Sequence, residues 1–175
     1  LHQVEVGSNP DMVCVTEDQK TILVANEGEP SEDYTIDPPG SISVLQWYGP
    51  EKSPRVHTAD FSSFNPHRET LVSQGIRISG PSKKHPDGLA TVAEDVEPEY
   101  IAIAPNGKHA WITLQENNAV ALLDIKKGQI TNIFSCGLKN HSQSGNGLDV
   151  SDQDGNRQKT AISIEPAPVW GLYQP

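Results

Sequence analysis

Basic side chains are scarce in this sequence. Lys and Arg together number 13 against 23 Asp and Glu, which gives a formal net charge of −10 and a pI near 4.9. Basic residues never run beyond a pair such as Lys83-Lys84, whereas binding to a phosphate backbone needs clustered Lys and Arg. The balance therefore argues against a nucleic-acid partner and favours calcium or basic partners.

Long apolar runs and cysteines are also lacking. No stretch of about eighteen apolar residues occurs, and no charged-then-apolar leader precedes Leu1, so we expect neither a membrane span nor an intact signal peptide in this chain. The two cysteines, Cys14 and Cys136, are too few for a disulfide scaffold. Cys14 lies within an apolar strand pattern, which favours a small buried group over a bridge or a reactive thiol.

An internal repeat is the most informative feature that is present. The segment 10–15, Pro-Asp-Met-Val-Cys-Val, recurs as 98–103, Pro-Glu-Tyr-Ile-Ala-Ile. The match continues through a turn and a second strand, and it brings Glu27 beside Glu116 with one residue of slippage. The order of proline, acid, strand, turn, strand and acid is typical of one blade of a β-propeller.

The repeat predicts an all-β fold of two four-stranded blades with insertions. The 14 Gly and 14 Pro among short apolar runs leave little room for long helices. A blade takes about 40–45 residues and a closed ring needs roughly four to eight blades, so we expect a fragment of a larger closed propeller. The predicted partial propeller over 1–175 comprises a blade at 10–61, an insertion at 62–97, a blade at 98–135, and an acidic Gly-rich loop with the start of the next blade at 136–175.

Short β-branched or aromatic runs predict four strands in each blade. A helix within 66–74 is expected to end at Gly75, and 81–87 reads as loop. The predicted strands are Met12–Val15, Thr21–Ala25, Ser41–Trp47, Arg55–Phe61, Tyr100–Ala104, Ala110–Leu114, Ala119–Ile125 and Gln129–Ser135.

Four runs carry a family resemblance, and they follow one another in the family's order along nearly the whole chain. They are VANEGEPSEDY at 24–34, VEPEYIA at 96–102, TLQENNA at 113–119 and GNGLDVSDQDG at 145–155. With these runs the sequence resembles the choice-of-anchor I propeller family, which includes mesenchyme-specific cell surface glycoproteins of biomineralising animals and bacterial relatives labelled alkaline-phosphatase-like. The resemblance implies an extracellular, YVTN-like β-propeller at a cell surface or in a matrix.

The repeat also predicts where acidic side chains meet. Asp11 and Glu99 enter the first strand of their blades, while Glu27 and Glu116 leave the second, so all four should lie near one mouth of the ring. Glu97 and Glu29 would add to that rim. Clustered carboxylates repel one another unless they share a cation or a proton. Their hard oxygen atoms favour calcium or magnesium. The alternative is that these acids accept backbone hydrogen bonds at strand corners.

A second candidate calcium site lies near the end of the chain. The loop from Asp149 to Gly155 alternates oxygen donors and carries Asp152 and Asp154, but it lacks the full EF-hand pattern. It predicts either a non-helical calcium site or a polar turn in which Asp side chains accept from backbone amides. The same two readings apply to the loop acids Glu32, Asp33 and Asp37.

One glycosylation acceptor is present as Asn140-His141-Ser142, which is compatible with glycosylation if the protein is secreted. The six His show no metal-type pairing, and no nucleophile elbow, Walker loop or dinucleotide fingerprint occurs. The sequence therefore identifies no catalytic residue.

Two classes of function remain. The favoured one is a secreted or cell-surface calcium-binding β-propeller glycoprotein with a matrix, adhesion or biomineralisation role. The alternative is a metal-dependent phosphoesterase, alkaline-phosphatase-like, whose central carboxylates hold ions that bind phosphate and activate water. Expected partners are the remainder of the same propeller, or another chain at the open blade edge, and a matrix or mineral surface.

Overall fold

The computed structural model describes residues 2–143 and 146 and shows two antiparallel sheets of four strands each. Within each sheet every strand pairs with its neighbour in sequence. This confirms the predicted all-β fold of two four-stranded blades, and the predicted strand ends lie within two residues of the observed ones. The strands are β1 (Pro10–Val15), β2 (Thr21–Asn26), β3 (Ser41–Gln46), β4 (Arg55–Asp60), β5 (Pro98–Ile103), β6 (His109–Leu114), β7 (Ala119–Asp124) and β8 (Gln129–Ser135).

The first strand of each sheet carries a β-bulge at the same place. In the first sheet Pro10 pairs with Asn26 but Met12 already pairs with Ala25. In the second sheet the register shifts by one residue between Pro98 and Ile101. The extra residue of a bulge bends the strand and re-aims its side chains. Asp11 and Glu99 lie in these bulges. The two sheets therefore share the same irregularity, and in each of them it positions an acidic side chain.

The two sheets pack face to face. The front face of the first sheet and the rear face of the second belong to one hydrophobic cluster, and β1 and β2 both contact β5. The front face is formed by Leu23, Ala25, Ile42, Val44 and Ala59, and the rear face by Ala110, Ile112, Leu114, Ala121 and Leu123, all buried. Small and branched apolar side chains on the two faces allow this close packing between sheets.

The N-terminal residues lie against the opposite face of the first sheet. The backbone N–H of Gly7 donates to Ser43 Oγ at 3.4 Å. A Cβ at position 7 would lie 2.7 Å from the side chain of Asn26, so only glycine fits there. The N–H of Glu27 donates to Asn9 O at 2.9 Å, which extends the β1–β2 pairing to the start of the acidic loop.

The insertion between the sheets is mostly short helix and loop. It contains a 3₁₀ helix (Ser62–His67), α1 (Arg68–Ser73) and α2 (Val92–Asp95). As predicted, a helix within 66–74 stops before Gly75, whose φ of 89° and N–H bond to Val72 O follow the last turn of α1. The helix α2 was not predicted from the sequence; it has only four residues and starts from a capping box of Thr91 and Glu94.

The insertion also holds the acidic loop that follows β2. Lys84 Nζ donates to Asp37 O at 2.6 Å, and Gly40 N donates to Ala93 O at 2.9 Å. Lys84 Nζ also lies 3.6 Å from Glu94 Oε1. The loop is therefore fixed at both its middle and its end.

Both cysteines are free thiols. Cys14 is half-buried against the core, and burial raises the pKa of its thiol, which keeps it protonated as a small apolar group. Cys136 is exposed. It ends the first compact unit, 1–136, and a second unit comprises 137–175.

Candidate functional site

Six carboxylates form what we call the acidic rim, at the ends of the strands nearest the junction of the two sheets. Antiparallel pairing places the start of the first strand beside the end of the second, so acids at these positions share one edge of each blade. Two of them sit in the bulges of β1 and β5, and the others flank β2, β5 and β6. The members are Asp11, Glu27, Glu29, Glu97, Glu99 and Glu116.

Glu97 is the most perturbed member of the rim. Burial, together with the negative charges of Glu116 and Glu27, raises the pKa of its carboxyl to about 7. Its N–H donates to Asn117 Oδ1 at 3.2 Å, which fixes the backbone just ahead of β5. With this pKa the carboxyl is partly protonated and partly ionised near neutral pH. A nearby cation favours the ionised form.

The rim joins acids from both sheets. Burial raises the pKa of Glu27, and its neighbours Glu29, Asp11, Glu99 and Glu116 raise it further. Glu27 follows β2 of the first sheet, whereas Glu99 and Glu116 belong to the second. The structure therefore brings the repeated acids within Coulombic range of one another.

Glu99 shows the same interaction from the second sheet. Burial raises the pKa of Glu99, with further contributions from Glu116 and Asp11. Gln115 Nε2 donates to Glu99 Oε1 at 3.5 Å. The interactions of Glu99 thus also cross the junction between the blades.

Neutral amides, rather than cations, contact the rim. Asn9 Nδ2 donates to Glu27 Oε2 at 2.8 Å and to Glu29 Oε2 at 3.3 Å. Glu116 Oε2 is buried and has no donor. Within residues 2–143, no Lys or Arg forms an ion pair with a rim carboxylate. Arg77 Nη1 donates to the backbone O of Glu116 at 3.0 Å, so one cation lies beside the rim, but among the described residues it forms no ion pair with a rim carboxylate.

Sequence reasoning missed Asn9 and Gln115 as parts of this site. Asn9 has a φ of 52°, a left-handed conformation in which Asn is favoured among non-glycine residues. Gln115, not Glu116, stands opposite Glu27 when the repeats are aligned without slippage. That alignment is the signal that could have identified Gln115 as a rim residue.

The rim carboxylates do not form a closed metal centre. In the part of the chain that the structure describes, no group of three or more His, Cys, Asp or Glu side chains is arranged to hold a metal ion. Their oxygen atoms are nevertheless the donor type that hard cations prefer. The arrangement suits the attraction of cations, and direct coordination requires side chains to rotate toward one another.

The three loop acids lie in different environments. Asp33 Oδ1 accepts from Thr35 Oγ1 at 2.7 Å and Ser31 Oγ at 2.8 Å, and these bonds lower the pKa of Asp33 to about 2. Asp37 is buried, and burial raises the pKa of its carboxyl. Glu32 is exposed. Asp33 thus stabilises a turn, in line with the second of the two readings of this loop.

The remaining predicted site residues lie in the second unit. Asp149, Asp152 and Asp154 lie outside the described residues. Asn140 is exposed, and its Oδ1 accepts from Ser142 N at 3.0 Å and Ser142 Oγ at 2.7 Å. The sequon therefore forms a local polar turn at the surface.

A buried amide ties the insertion to the second sheet beside the rim. The side chain of Asn117 is fully buried. Its Nδ2 donates to Arg77 O at 2.9 Å, Asp95 O at 2.8 Å and Asp95 Oδ2 at 3.0 Å. Because its Oδ1 accepts from Glu97 N, this single amide positions the backbone of the most perturbed rim acid.

Two four-stranded antiparallel sheets, packed face to face in sequence order, define a β-propeller-like protein. The chain belongs to the choice-of-anchor I domain family, whose profile matches residues 1–175. This confirms the resemblance inferred from the sequence and makes the chain a cell-surface-associated domain. No curated protein and no solved structure matches the chain. Among the described residues, no helix is long and apolar enough to cross a bilayer.

Proposed function

We propose that this domain is an extracellular calcium-binding module whose acidic rim holds the ion, and that it serves in a matrix, adhesive or mineral-associated role. The observation that carries the proposal is the convergence of carboxylates from both sheets, none of which forms an ion pair with a Lys or Arg side chain among the described residues. A divalent cation would relieve their repulsion. Family membership supports the cell-surface setting.

The donor set fits calcium better than softer metals. Calcium takes six to eight oxygen ligands in flexible geometry, and carboxylates may bind it through one or both oxygens. Glu116 Oε2, which is buried without a donor, and Glu97 would supply such oxygens. Because the ion binds the ionised carboxylate, calcium displaces the proton of Glu97, and binding weakens as the pH falls below about 7.

Calcium titration of the purified protein tests the rim. We expect calcium to raise the melting temperature, and Glu116→Gln to weaken calcium binding by about tenfold or more, since it removes a charge of the cluster (tenfold corresponds to about 1.4 kcal/mol). Glu51→Gln, in an exposed turn, is the matched control and should bind as the parent does.

A second variant separates the two predicted calcium sites. The triple change Asp149→Asn, Asp152→Asn and Asp154→Asn leaves the rim intact. If that variant abolishes calcium binding while Glu116→Gln does not, the ion belongs to the C-terminal loop and the rim proposal is wrong. An unchanged melting temperature at millimolar calcium in all proteins would contradict calcium binding altogether.

The same proteins decide between binding and catalysis. The proposal expects no chelator-sensitive hydrolysis of a chromogenic phosphate ester. Hydrolysis that is lost both with chelator and in folded Glu116→Gln would instead assign the rim to a metal-dependent phosphoesterase.

We also propose that Asn140 carries an N-linked glycan when the protein is secreted by a eukaryotic cell. Its exposure and its position in a surface turn support this assignment. We expect glycosidase treatment to lower the mass of the secreted protein, and Asn140→Gln to have the lower mass without treatment. Equal masses before and after treatment would contradict the assignment.

A further inference from the structure

Basic side chains from both sheets line one pocket at the ends of the strands opposite the acidic rim. The pocket has a volume of about 390 Å³ and lies between the start of β4 and the turns before β6 and after β7. We call it the basic pocket. The whole chain has only 13 Lys and Arg, and four of them meet here. The basic residues that line it are Arg55, His57, Lys108, Lys126 and Lys127.

One close contact between the sheets brings these residues together. His57 Nε2 donates to Gly128 O at 2.9 Å. Gly128 has a φ of 60°, and a Cβ there would collide with the His57 ring, so only glycine permits this approach. Arg55 precedes His57 by two residues and therefore lies on the same face of β4. The β7–β8 turn, with Lys126 and Lys127, thus lies against the face of β4 that carries Arg55.

The fourth cation comes from the turn before β6. Lys108 O accepts from the first backbone N–H after β7 at 3.0 Å, which holds the two turns together. Lys127 Nζ lies 3.3 Å from Asp124 Oδ2, an acid outside the pocket lining. Among the described residues, Arg55, Lys108 and Lys126 form no ion pair, and all three are exposed. Their charges are therefore available to a ligand.

The pocket attracts anions despite the negative net charge of the chain. None of the described residues that line it is acidic, and Glu17 and Asp18 line an adjoining cleft. Strands of six residues separate the pocket from the acidic rim by roughly 20 Å, at about 3.3 Å per residue. This separation exceeds the Debye length of about 8 Å at 0.15 M salt, so the rim is largely screened. A cleft lined by charges of one sign focuses its field on a ligand of opposite charge.

We propose that the basic pocket binds the sulfate and carboxylate groups of an acidic polysaccharide. An exposed lysine contributes little on its own, so a ligand that carries several charges along its length suits the pocket better than a single ion does. Arg55 supplies a planar fork of donors for oxyanions, and the lysines supply compact point charges. The cell-surface association of the domain family brings the pocket to where such polymers occur.

The lining suits a polysaccharide better than a nucleic acid. Single-stranded nucleic acids bind by stacking their bases on aromatic side chains, and no Trp, Tyr or Phe is among the described lining residues. Gln46 contributes an amide whose Oε1 can accept from a sugar hydroxyl. None of the rim carboxylates takes part, so the inference does not depend on calcium binding.

Heparin, a sulfated polysaccharide, is the probe that tests the proposal. We expect the purified protein, in chelator and at about 0.15 M salt, to bind immobilised heparin. The double variant Lys108→Gln with Lys126→Gln should bind about tenfold more weakly or worse, since two of the contacting charges are lost. The matched control is Lys83→Gln with Lys139→Gln, which removes two exposed charges outside the pocket lining. Circular dichroism checks that every variant is folded.

The outcomes are distinct. Absence of heparin binding by the parent would overturn the proposal, and so would an equal loss in the control, because binding would then follow net charge alone. Displacement of heparin by single-stranded DNA at equal charge concentration would assign the pocket to a nucleic acid instead. Displacement by millimolar inorganic sulfate would assign it to a free anion. Heparin binding that resists both competitors and falls only in the pocket variant is the expected result.

Discussion

Asn117→Ala is expected to lower the free energy of unfolding by about 3 kcal/mol, as removal of a member of a buried hydrogen-bond network does. The change leaves three acceptors and one donor without their partner in a region closed to solvent. One acceptor is the carboxylate of Asp95, and a buried charge that loses a donor is especially costly.

Urea unfolding followed by circular dichroism measures this loss. Asn106→Ala is the matched control, because Asn106 is exposed in a turn and its side chain accepts from Lys108 N, a single hydrogen bond within the described part of the chain. We expect that control to cost about 0.5 kcal/mol, near the low end for a single hydrogen bond. Similar midpoints for the two variants would show that Asn117 does not tie the insertion to the second sheet.

The stability of the calcium-free protein is expected to fall as the pH rises from 5 to 8, and Glu97→Gln should remove part of that fall. The pKa of Glu97 is about 7 in the folded protein and near 4.3 in an unfolded chain. Between these values the folded state keeps a proton that the unfolded state has lost. The resulting stability is fully present below about pH 4.3 and is lost as the pH rises through 7.

The size of this effect is about 1–2 kcal/mol. Converting the whole pKa shift of Glu97 into free energy of unfolding, at about 1.36 kcal/mol per pKa unit, would give a larger value. The effect is smaller because Glu97 is only half-buried and solvent screens part of the repulsion. Unfolding curves at several pH values, in chelator, measure the difference between parent and Glu97→Gln. Parallel pH profiles of the two proteins would contradict the role of Glu97, and Glu51→Gln should follow the parent.

Most of the fold could be predicted because each strand is visible as a short apolar run and the same order of runs occurs twice in the sequence. Apolar runs between polar turns set the eight strands. The starts at Pro10 and Pro98 were placed two residues late, since a proline that precedes a bulge weakens the alternating pattern. The insertion was harder, because α2 is a single turn whose signal is the pair Thr91 and Glu94.

The candidate site could be predicted only in part. The repeated acids could be predicted to converge, because equivalent positions in adjacent blades of a propeller lie near a common axis. Binding of calcium at these acids stays a prediction. Asn9 and Asn117 escaped notice because their contacts depend on tertiary packing, as with Asn117 and Arg77 in the insertion. Asp33 was ambiguous for a different reason. Its hydrogen-bond partners Ser31 and Thr35 are adjacent in sequence, but the same run of oxygen-bearing residues is also compatible with a metal-binding loop.

The placement of the acidic rim has a consequence for ionic strength. The rim lies at the junction of the sheets, so its repulsion acts on the contact between modules rather than on an isolated patch of surface. Added salt shortens the Debye length from about 30 Å at 0.01 M to about 8 Å at 0.15 M. Added salt is therefore expected to strengthen the packing of the two sheets by screening this repulsion, and low ionic strength to weaken it, even without a specifically bound ion.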